Sequence, residues 1–321
     1  MQPTGSLHIG NYLGALKNWV ALQNSGAYNC YFTIVDLHAM TLNYDPRTIK
    51  ERVKNLAIDY LSCGIDPNKS TIFIQSHIIE HTYLSWIFST LTPIAELKRM
   101  HQFKEKAQQH QEAAMNTGLF TYPILQAADI LIYKADTVPV GEDQKQHVEL
   151  TRDIARKFNT AFGKTFPETE VLLTENPRVM SLTQPESKMS KSKGEKNYIA
   201  LSDDAETIRK KIMGAVTDTG GEKGKMSSGV QNLFALLKAF AKDEIYNDLK
   251  DTYSNKTLPY RKLKETVADE IIKTLEPIAK RRRELEKDPN YVADILIAGT
   301  NRAQTTARKT LQEVREKTGL L

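Results

Sequence analysis

The sequence predicts an α/β protein: strands and helices alternating around a mainly parallel sheet, followed by a stretch of helices alone. Three observations carry this. The first 180 residues switch repeatedly between short apolar runs and helix-period stretches. From about Asp203 only the helical period remains. Between the two lies a polar connector rich in Lys, Ser and Gly, at 183–197.

The elements follow in order. Gly10–Gln23 reads as a helix on the spacing of Leu13, Leu16, Val20 and Leu22. Asn29–Val35 (NCYFTIV) is a short apolar run with the length and β-branching of a buried strand. Arg47–Cys63 returns to the helical period through Ile49, Val53, Leu56 and Leu61. Ser70–Gln75 (STIFIQ) is a second strand, and Glu80–Leu91 a further helix. Strands separated by helices of this length form βαβ units, and such sheets bind ligands at the carboxyl ends of their strands. Beyond the connector, Asp203–Val216 reads as a helix with Ser202 at its N-cap and acids in its first turn, where the helix dipole favours them. Further helices fit Gly229–Ala241, Leu258–Leu275 and Tyr291–Lys317, and Thr217–Ser228 reads as a loop.

Composition excludes several classes. At 40% hydrophobic and 26% charged residues in 321, the chain is an ordinary globular protein with room for two domains. No apolar run reaches the ~20 residues of a membrane span. Two cysteines, Cys30 and Cys63, cannot make a disulfide framework or a metal pair, which fits the reducing cytosol. Residues 203–321 carry 23 Lys+Arg against 19 Asp+Glu, so most of the +5 net charge lies there. A polyanion docking on that part is the partner such a bias suits.

Two segments carry phosphate chemistry. In Pro3-Thr4-Gly5-Ser6-Leu7-His8-Ile9-Gly10-Asn11 a glycine turn opens a helix whose free N–H groups and positive dipole end suit phosphate. His8 and Asn11 are short polar groups that can reach phosphate oxygens, and Gly10 lets a flat base approach the backbone. In Lys188-Met189-Ser190-Lys191-Ser192 two lysines three apart make a cationic clamp for a departing pyrophosphate. Lys225-Met226-Ser227-Ser228 lacks the second lysine and is read as loop. A third segment places Tyr122, Gln126 and Asp129 at i, i+4 and i+7, on one helix face.

The His-Ile-Gly-Asn and KMSKS segments together resemble the paired signatures of class I aminoacyl-tRNA synthetases. Gln2-Pro3-Thr4-Gly5, Gly141-Glu142-Asp143-Gln144-Lys145-Gln146-His147, Ile34-Val35-Asp36-Leu37-His38-Ala39 and Ala215-Val216-Thr217-Asp218 resemble the bacterial tryptophanyl-tRNA synthetase family in particular. The resemblance covers essentially the whole chain. It implies a Rossmann-like class I catalytic domain over 1–197, with the KMSKS loop, and an all-helical anticodon-binding domain over 198–321. It implies activation of L-tryptophan with ATP and Mg2+, the metal arriving with the nucleotide and not on a protein metal site. Transfer to tRNA(Trp), a homodimer in the cytoplasm and no membrane attachment follow from the same resemblance.

The resemblance also implies roles. His8, Asn11, Lys188 and Lys191 act on the phosphates. ATP is held by Gln2, Pro3, Thr4, Gly10, Asn11, Gly141, Glu142, Asp143 (on the ribose), Val179 (by the adenine), Lys188, Met189, Ser190, Lys191 and Ser192. Asp129 accepts the indole N–H, Tyr122 and Gln144 hold the ammonium, Gln126 and Gln102 are polar walls, and Val138 and Val140 flank the indole. Arg281-Arg282-Arg283 is a candidate tRNA phosphate contact, with a solvated helix face as its other reading. Family members carry a strand ending in Ser-Gly-Ile before the position of Gln2. It pairs into the central sheet, and without it sheet groups or the substrate wall are expected to be incomplete. Three other readings stay open: a tyrosyl-tRNA synthetase, which usually has Gly-Ser-Asp-Gln at 141–144; a small-molecule nucleotidyltransferase; and a catalytically impaired synthetase paralogue.

Overall fold

The computed structural model describes residues 1–41, 44–101, 116–174, 178–217 and 226–321. The chain enters through a loop into α1 (Ile9–Asn11), a π-helical turn over Tyr12–Leu16, and α2 (Lys17–Ser25), which Gly26 ends in the left-handed conformation at φ +67°. Then come β1 (Cys30–Ile34), α3 (Asp36–Ala39) and α4 (Pro46–Ser62). Asp45 caps α4 by accepting the Arg47 N–H at 2.9 Å, and Pro46 stands in its first turn, where no N–H is needed. β2 (Ser70–Ile74), α5 (Glu80–Leu91), α6 (Ile94–Lys98) and α7 (Thr117–Leu131) follow, then β3 (Thr137–Val140), α8 (Lys145–Phe162) and β4 (Glu170–Leu173).

The strands pair in parallel, as the βαβ reading requires. β1 and β2 run in register from Cys30 opposite Ser70 to Ile34 opposite Ile74, with α4 as the crossover. β3 and β4 run from Thr137 opposite Glu170 to Val140 opposite Leu173, with α8 between. Among the described residues these are two separate two-stranded sheets and not one continuous sheet. Helices α5, α7 and α8 pack against one another in a layer of their own. Met1 lies beside β1, on the edge away from β2. Its carbonyl accepts from Val35 N–H at 3.0 Å and its amine donates to the Thr33 carbonyl at 2.8 Å.

The second part is helical: α9 (Ala205–Met213), α10 (Ser228–Phe240), α11 (Asp243–Ser254), α12 (Tyr260–Lys287) and α13 (Pro289–Thr318). The cap of α9 is Asp204, which accepts the Thr207 N–H at 2.7 Å, and not Ser202. The start is delayed because Asp203 is occupied, accepting from the Ala200 N–H at 2.9 Å and from Lys211 at 2.6 Å. α11 had no counterpart in the sequence reading, and α12 runs twelve residues beyond it.

The helical part rests on the sheet part. α12 packs on α9, α10 and α4, while α13 crosses β2 and α5. A Cβ on Gly299 of α13 would lie 1.8 Å from the Ile72 carbonyl oxygen, so a side chain there would lift the helix off the strand. Covered in this way, all five residues of β2 are buried. α13 supplies Val292 and Ile295 to one core, with Leu56 and Ile72. It supplies Ala303, Ala307 and Val314 to the other, with Phe88 and Phe158. Arg282 of α12 does not face solvent. Its side chain, 13% exposed, pairs with the buried Asp59 of α4, reaches Asn55, and also pairs with Glu286 at 3.0 Å. Arg281 pairs with Glu284 at 3.1 Å. The arginine run is therefore no uniform phosphate-facing strip: its middle member is spent inside the protein.

Candidate active site

The first signature segment is built by a reciprocal cap. His8 is the N-cap of α1, and its Nδ1 accepts the Gly10 N–H at 3.0 Å. The Asn11 Oδ1 in turn accepts the His8 N–H at 3.0 Å. With Nδ1 committed as an acceptor, the neutral imidazole carries its hydrogen on Nε2 and can donate it. Burial pushes the His8 imidazole down to about 4, and Lys191 and Lys188 add to the effect. His8 is thus a neutral donor at pH 7. The π-helical turn behind it, a form that recurs at functional sites, brings Gly14 and Ala15 to the same surface.

The KMSKS segment is laid against Val179. The Met189 N–H donates to the Val179 carbonyl at 3.0 Å, the Ser181 N–H to Ser187 at 2.8 Å, and Met189 is buried. Asn232 of α10 grips Met180 at both ends, accepting its N–H at 3.2 Å and donating to its carbonyl at 3.1 Å. Lys191 reaches across to the N-terminal loop, where its Nζ donates to the Thr4 carbonyl at 3.2 Å. Gly5 has φ +106° there, a left-handed conformation that suits glycine. Desolvation lowers the Lys191 ammonium from its ordinary value.

These pieces meet in one cleft of about 340 Å³. It is lined by His8, Gly10 and Asn11 of the first segment, Asp143, Val179, and Lys188 and Met189 of the second. Gly10 faces Val179, its missing Cβ standing 4.0 Å from the Val179 Cβ and only 2.8 Å from the His8 ring. Gln2 and Thr4 make the turn at the entrance, with Thr4 N–H on the Gln2 carbonyl at 2.9 Å, and Pro3 is buried behind it. Gly141, Glu142 and Gln144 belong to the short 3-10 turn that leads into α8, and the Gln144 amide donates to Asp143 at 3.1 Å. Ser190 is half-buried in the loop; the side chain of Ser192 lies outside the described residues. Among the described residues no group of three or more His, Cys, Asp or Glu is placed to hold a metal ion.

A second constellation surrounds Asp129. Tyr122, Gln126 and Asp129 do share α7. The Asp129 carboxylate accepts from Gln75 Nε2 at 2.9 and 2.7 Å and from His81 Nδ1 at 2.5 Å, and His38 lies 3.7 Å away. His38 stands edge-on to the Tyr122 ring, with centroids 6.2 Å apart. Tyr122 shares a 2.8 Å hydrogen bond with His147 of α8, and burial raises its hydroxyl to about 12. Val138 and Val140 are half-buried on β3 and, two residues apart, face one side of the strand. Gln102 lies outside the described residues.

The chain matches the family model described as "tRNA synthetases class I (W and Y)" over residues 1–276. The tryptophan–tRNA ligase of Clostridium acetobutylicum is 43% identical, covering 100% of this chain and 96% of that one. The corresponding ligase of Caldanaerobacter subterraneus is 44% identical, with 100% and 97% covered. The crystal structure of tryptophanyl-tRNA synthetase from Campylobacter jejuni, complexed with ADP and tryptophan, superposes with a TM-score of 0.85 at 35% identity. It covers 99% of this chain and 98% of that one. The chain belongs to the tryptophanyl-tRNA synthetase family.

Within this family frame, the residues that sequence reasoning missed are Gln75, His81, Tyr133 and His147. His81 carried a usable signal: it sits on the apolar face of α5 with Leu84 and Phe88, and a buried histidine needs a polar partner. His147 stood inside a motif quoted for its neighbours. Gln75 and Tyr133 carried none, since each matters only through long-range contacts.

Proposed function

We infer that the chain is a tryptophan–tRNA ligase. The tryptophan carboxylate attacks the α-phosphate of ATP, giving tryptophanyl-adenylate and pyrophosphate; a terminal ribose hydroxyl of tRNA(Trp) then takes the acyl group, and AMP leaves with the hydroxyl proton. One observation carries the reading: the helix-capping segment and the KMSKS segment, far apart in sequence, line a single cleft. There the chain's own groups supply position and charge, with no side chain required as nucleophile. His8 Nε2–H and the Asn11 side-chain NH2 donate to phosphate oxygens; the N–H groups of Ile9, Gly10 and Asn11, expected to be free at this helix start, are instead bonded to the Ile199 carbonyl, His8 Nδ1 and the His8 carbonyl. Lys188 and Lys191 neutralise the pyrophosphate as it leaves. Asp143 takes the ribose, and Gly10 and Val179 enclose the adenine. Mg2+, brought with the nucleotide and not held by a protein metal site, would supply neutralising charge to the phosphates when bound.

Asp129 accepts the indole N–H. A buried acceptor left unmatched by phenylalanine or leucine gives discrimination without an editing domain. Tyr122 and Gln144 hold the ammonium, with Gln126 and Gln102 as polar walls and Val138 and Val140 against the ring. Residues 1–197 form the catalytic unit, and the helices beyond 198 carry the anticodon-facing surface, with Arg281 and Arg283 still exposed on α12.

A second copy of the chain is the partner that fits α5. Ile79, Tyr83 and Trp86 make an apolar stripe at helical spacing, 72%, 42% and 74% exposed. The two cysteines are free, which suits the cytoplasm, and no described helix is long and apolar enough to cross a membrane. Charging of a tRNA(Trp) transcript with labelled tryptophan tests the reading. Ester formation with tryptophan and none with tyrosine is expected; the reverse preference would overturn it.

A further inference from the structure

Asp129 is held from behind by groups that the reaction itself does not use. His81, fully buried, shares a 2.5 Å hydrogen bond through Nδ1 with Asp129 Oδ1, and its Nε2 lies 2.6 Å from the Tyr133 hydroxyl. The proton positions follow from partner counting. An ionised carboxylate only accepts, so the imidazole hydrogen on that side belongs to Nδ1. Among the described residues the Tyr133 hydroxyl has one hydrogen-bond partner, His81. A phenol proton directed onto Nε2 leaves nothing unmatched, whereas an imidazolium would strand it. Burial drives the Tyr133 hydroxyl far above its ordinary range, so the proton stays.

Both rings are locked. Tyr133 stacks on Tyr31 at 4.7 Å and meets Phe73 edge-on at 5.4 Å. Gln75 is locked as well, its Oε1 accepting the Leu37 N–H at 3.1 Å, which turns Nε2 onto the carboxylate and toward His38 Nδ1, 2.9 Å away. Oδ1 therefore receives donors from both His81 and Gln75, while Oδ2 receives only the Gln75 amide, with His38 Nδ1 3.7 Å from it, beyond hydrogen-bond reach.

We propose that Tyr133 and His81 form a positioning relay that fixes Asp129 with Oδ2 open to the indole N–H, and that this relay sets selectivity for an N–H-bearing side chain. The proposal rests on the reading that Asp129 accepts that N–H. Neither residue touches substrate; both are positioning residues.

The test is pyrophosphate exchange with tryptophan and with its benzothiophene analogue, in which sulfur replaces the N–H. The ratio of kcat/KM values is the readout, because loss of general stability does not change it. The wild-type chain should prefer tryptophan by about 10- to 100-fold, the range of one hydrogen bond to a charged acceptor. Asp129→Asn should remove most of that preference. Tyr133→Phe, which deletes one oxygen and keeps the ring, should lower it several-fold through KM for tryptophan, with KM for ATP unchanged. His81→Leu should lower it further, and His81→Gln, which keeps an N–H donor, should restore part of it. If Asp129→Asn abolishes the preference while Tyr133→Phe and His81→Leu keep it, the relay is overturned and the Asp129 reading stands. If Asp129→Asn keeps it, the reading fails and the relay with it.

Discussion

Lys191 donates its Nζ hydrogen bond to the Thr4 carbonyl at 3.2 Å, joining residues 187 positions apart. The second lysine of the KMSKS segment is thereby placed over the N-terminal loop that leads into α1. The contact is to a backbone oxygen and is exposed, so it is easily exchanged for a phosphate oxygen. Lys191→Ala should lower the rate of adenylate formation about 100-fold or more, in line with the ~3 kcal/mol typical of a transition-state donor. Tryptophan binding, followed by fluorescence quenching or calorimetry, should change less than two-fold. An unchanged exchange rate would remove Lys191 from the chemistry.

His8 is held neutral, its imidazole pushed down to about 4 by burial and by Lys191 and Lys188. The depressed value means that its contribution to stability is present above the ordinary value of ~6.5 and is lost as pH falls through about 4. Between pH 5.5 and 8 its protonation does not change. KM for ATP, measured over that range, should therefore show no inflection near 6.5. A break there that vanishes in His8→Asn would show a titrating imidazole instead.

Gly10 should not tolerate even a methyl group. A Cβ there would meet the His8 ring at 2.8 Å and displace the imidazole that caps the helix. Gly10→Ala should raise KM for ATP about ten-fold or more. Because the neighbour is one side chain and not the core, the melting temperature should fall by only a few degrees. Unaltered ATP kinetics would mean that His8 can move without consequence.

Arg282 and Asp59 tie α12 to α4 in a buried ion pair. Desolvation pushes the Asp59 carboxyl up to about 6, against the opposing pull of Arg282. A folded-state value raised above the ordinary one contributes stability that is full below pH ~4 and lost as pH rises through about 6. Arg282→Met leaves Asp59 buried without its cation, at a cost of ~3–5 kcal/mol where it is ionised. Urea unfolding should show that cost near pH 8 and a smaller one at pH 5, where the carboxyl takes up a proton. An equal cost at both values would show that Asp59 does not titrate in this range.

Local grammar explains what was legible in the sequence. The helix opening at 8–11, the apolar runs of the strands at 30–34 and 70–74 and the 122/126/129 helix face are each set by residues close together in the chain. What was hidden depends on contacts across the chain. Gly299 looks like a weak point in a helix until Ile72 is seen beneath it. Arg282 reads as one of three surface arginines until Asp59 meets it. The cap of α9 moved to Asp204 because Lys211, eight residues on from Asp203, holds that first aspartate. The pattern of α11, short and polar with Leu249 alone fully buried, gave the helical period too little to work with. Around Asp129, the helix face shared with Tyr122 and Gln126 was visible in the spacing, but the two donors to its carboxylate, Gln75 and His81, come from the end of β2 and from α5.

The central claim is that the chain activates tryptophan with ATP. Pyrophosphate exchange, measured separately with L-tryptophan and L-tyrosine, tests it most directly. Exchange should depend on tryptophan and remain near background with tyrosine. Exchange driven by tyrosine, or by neither amino acid while ATP still binds, would contradict it.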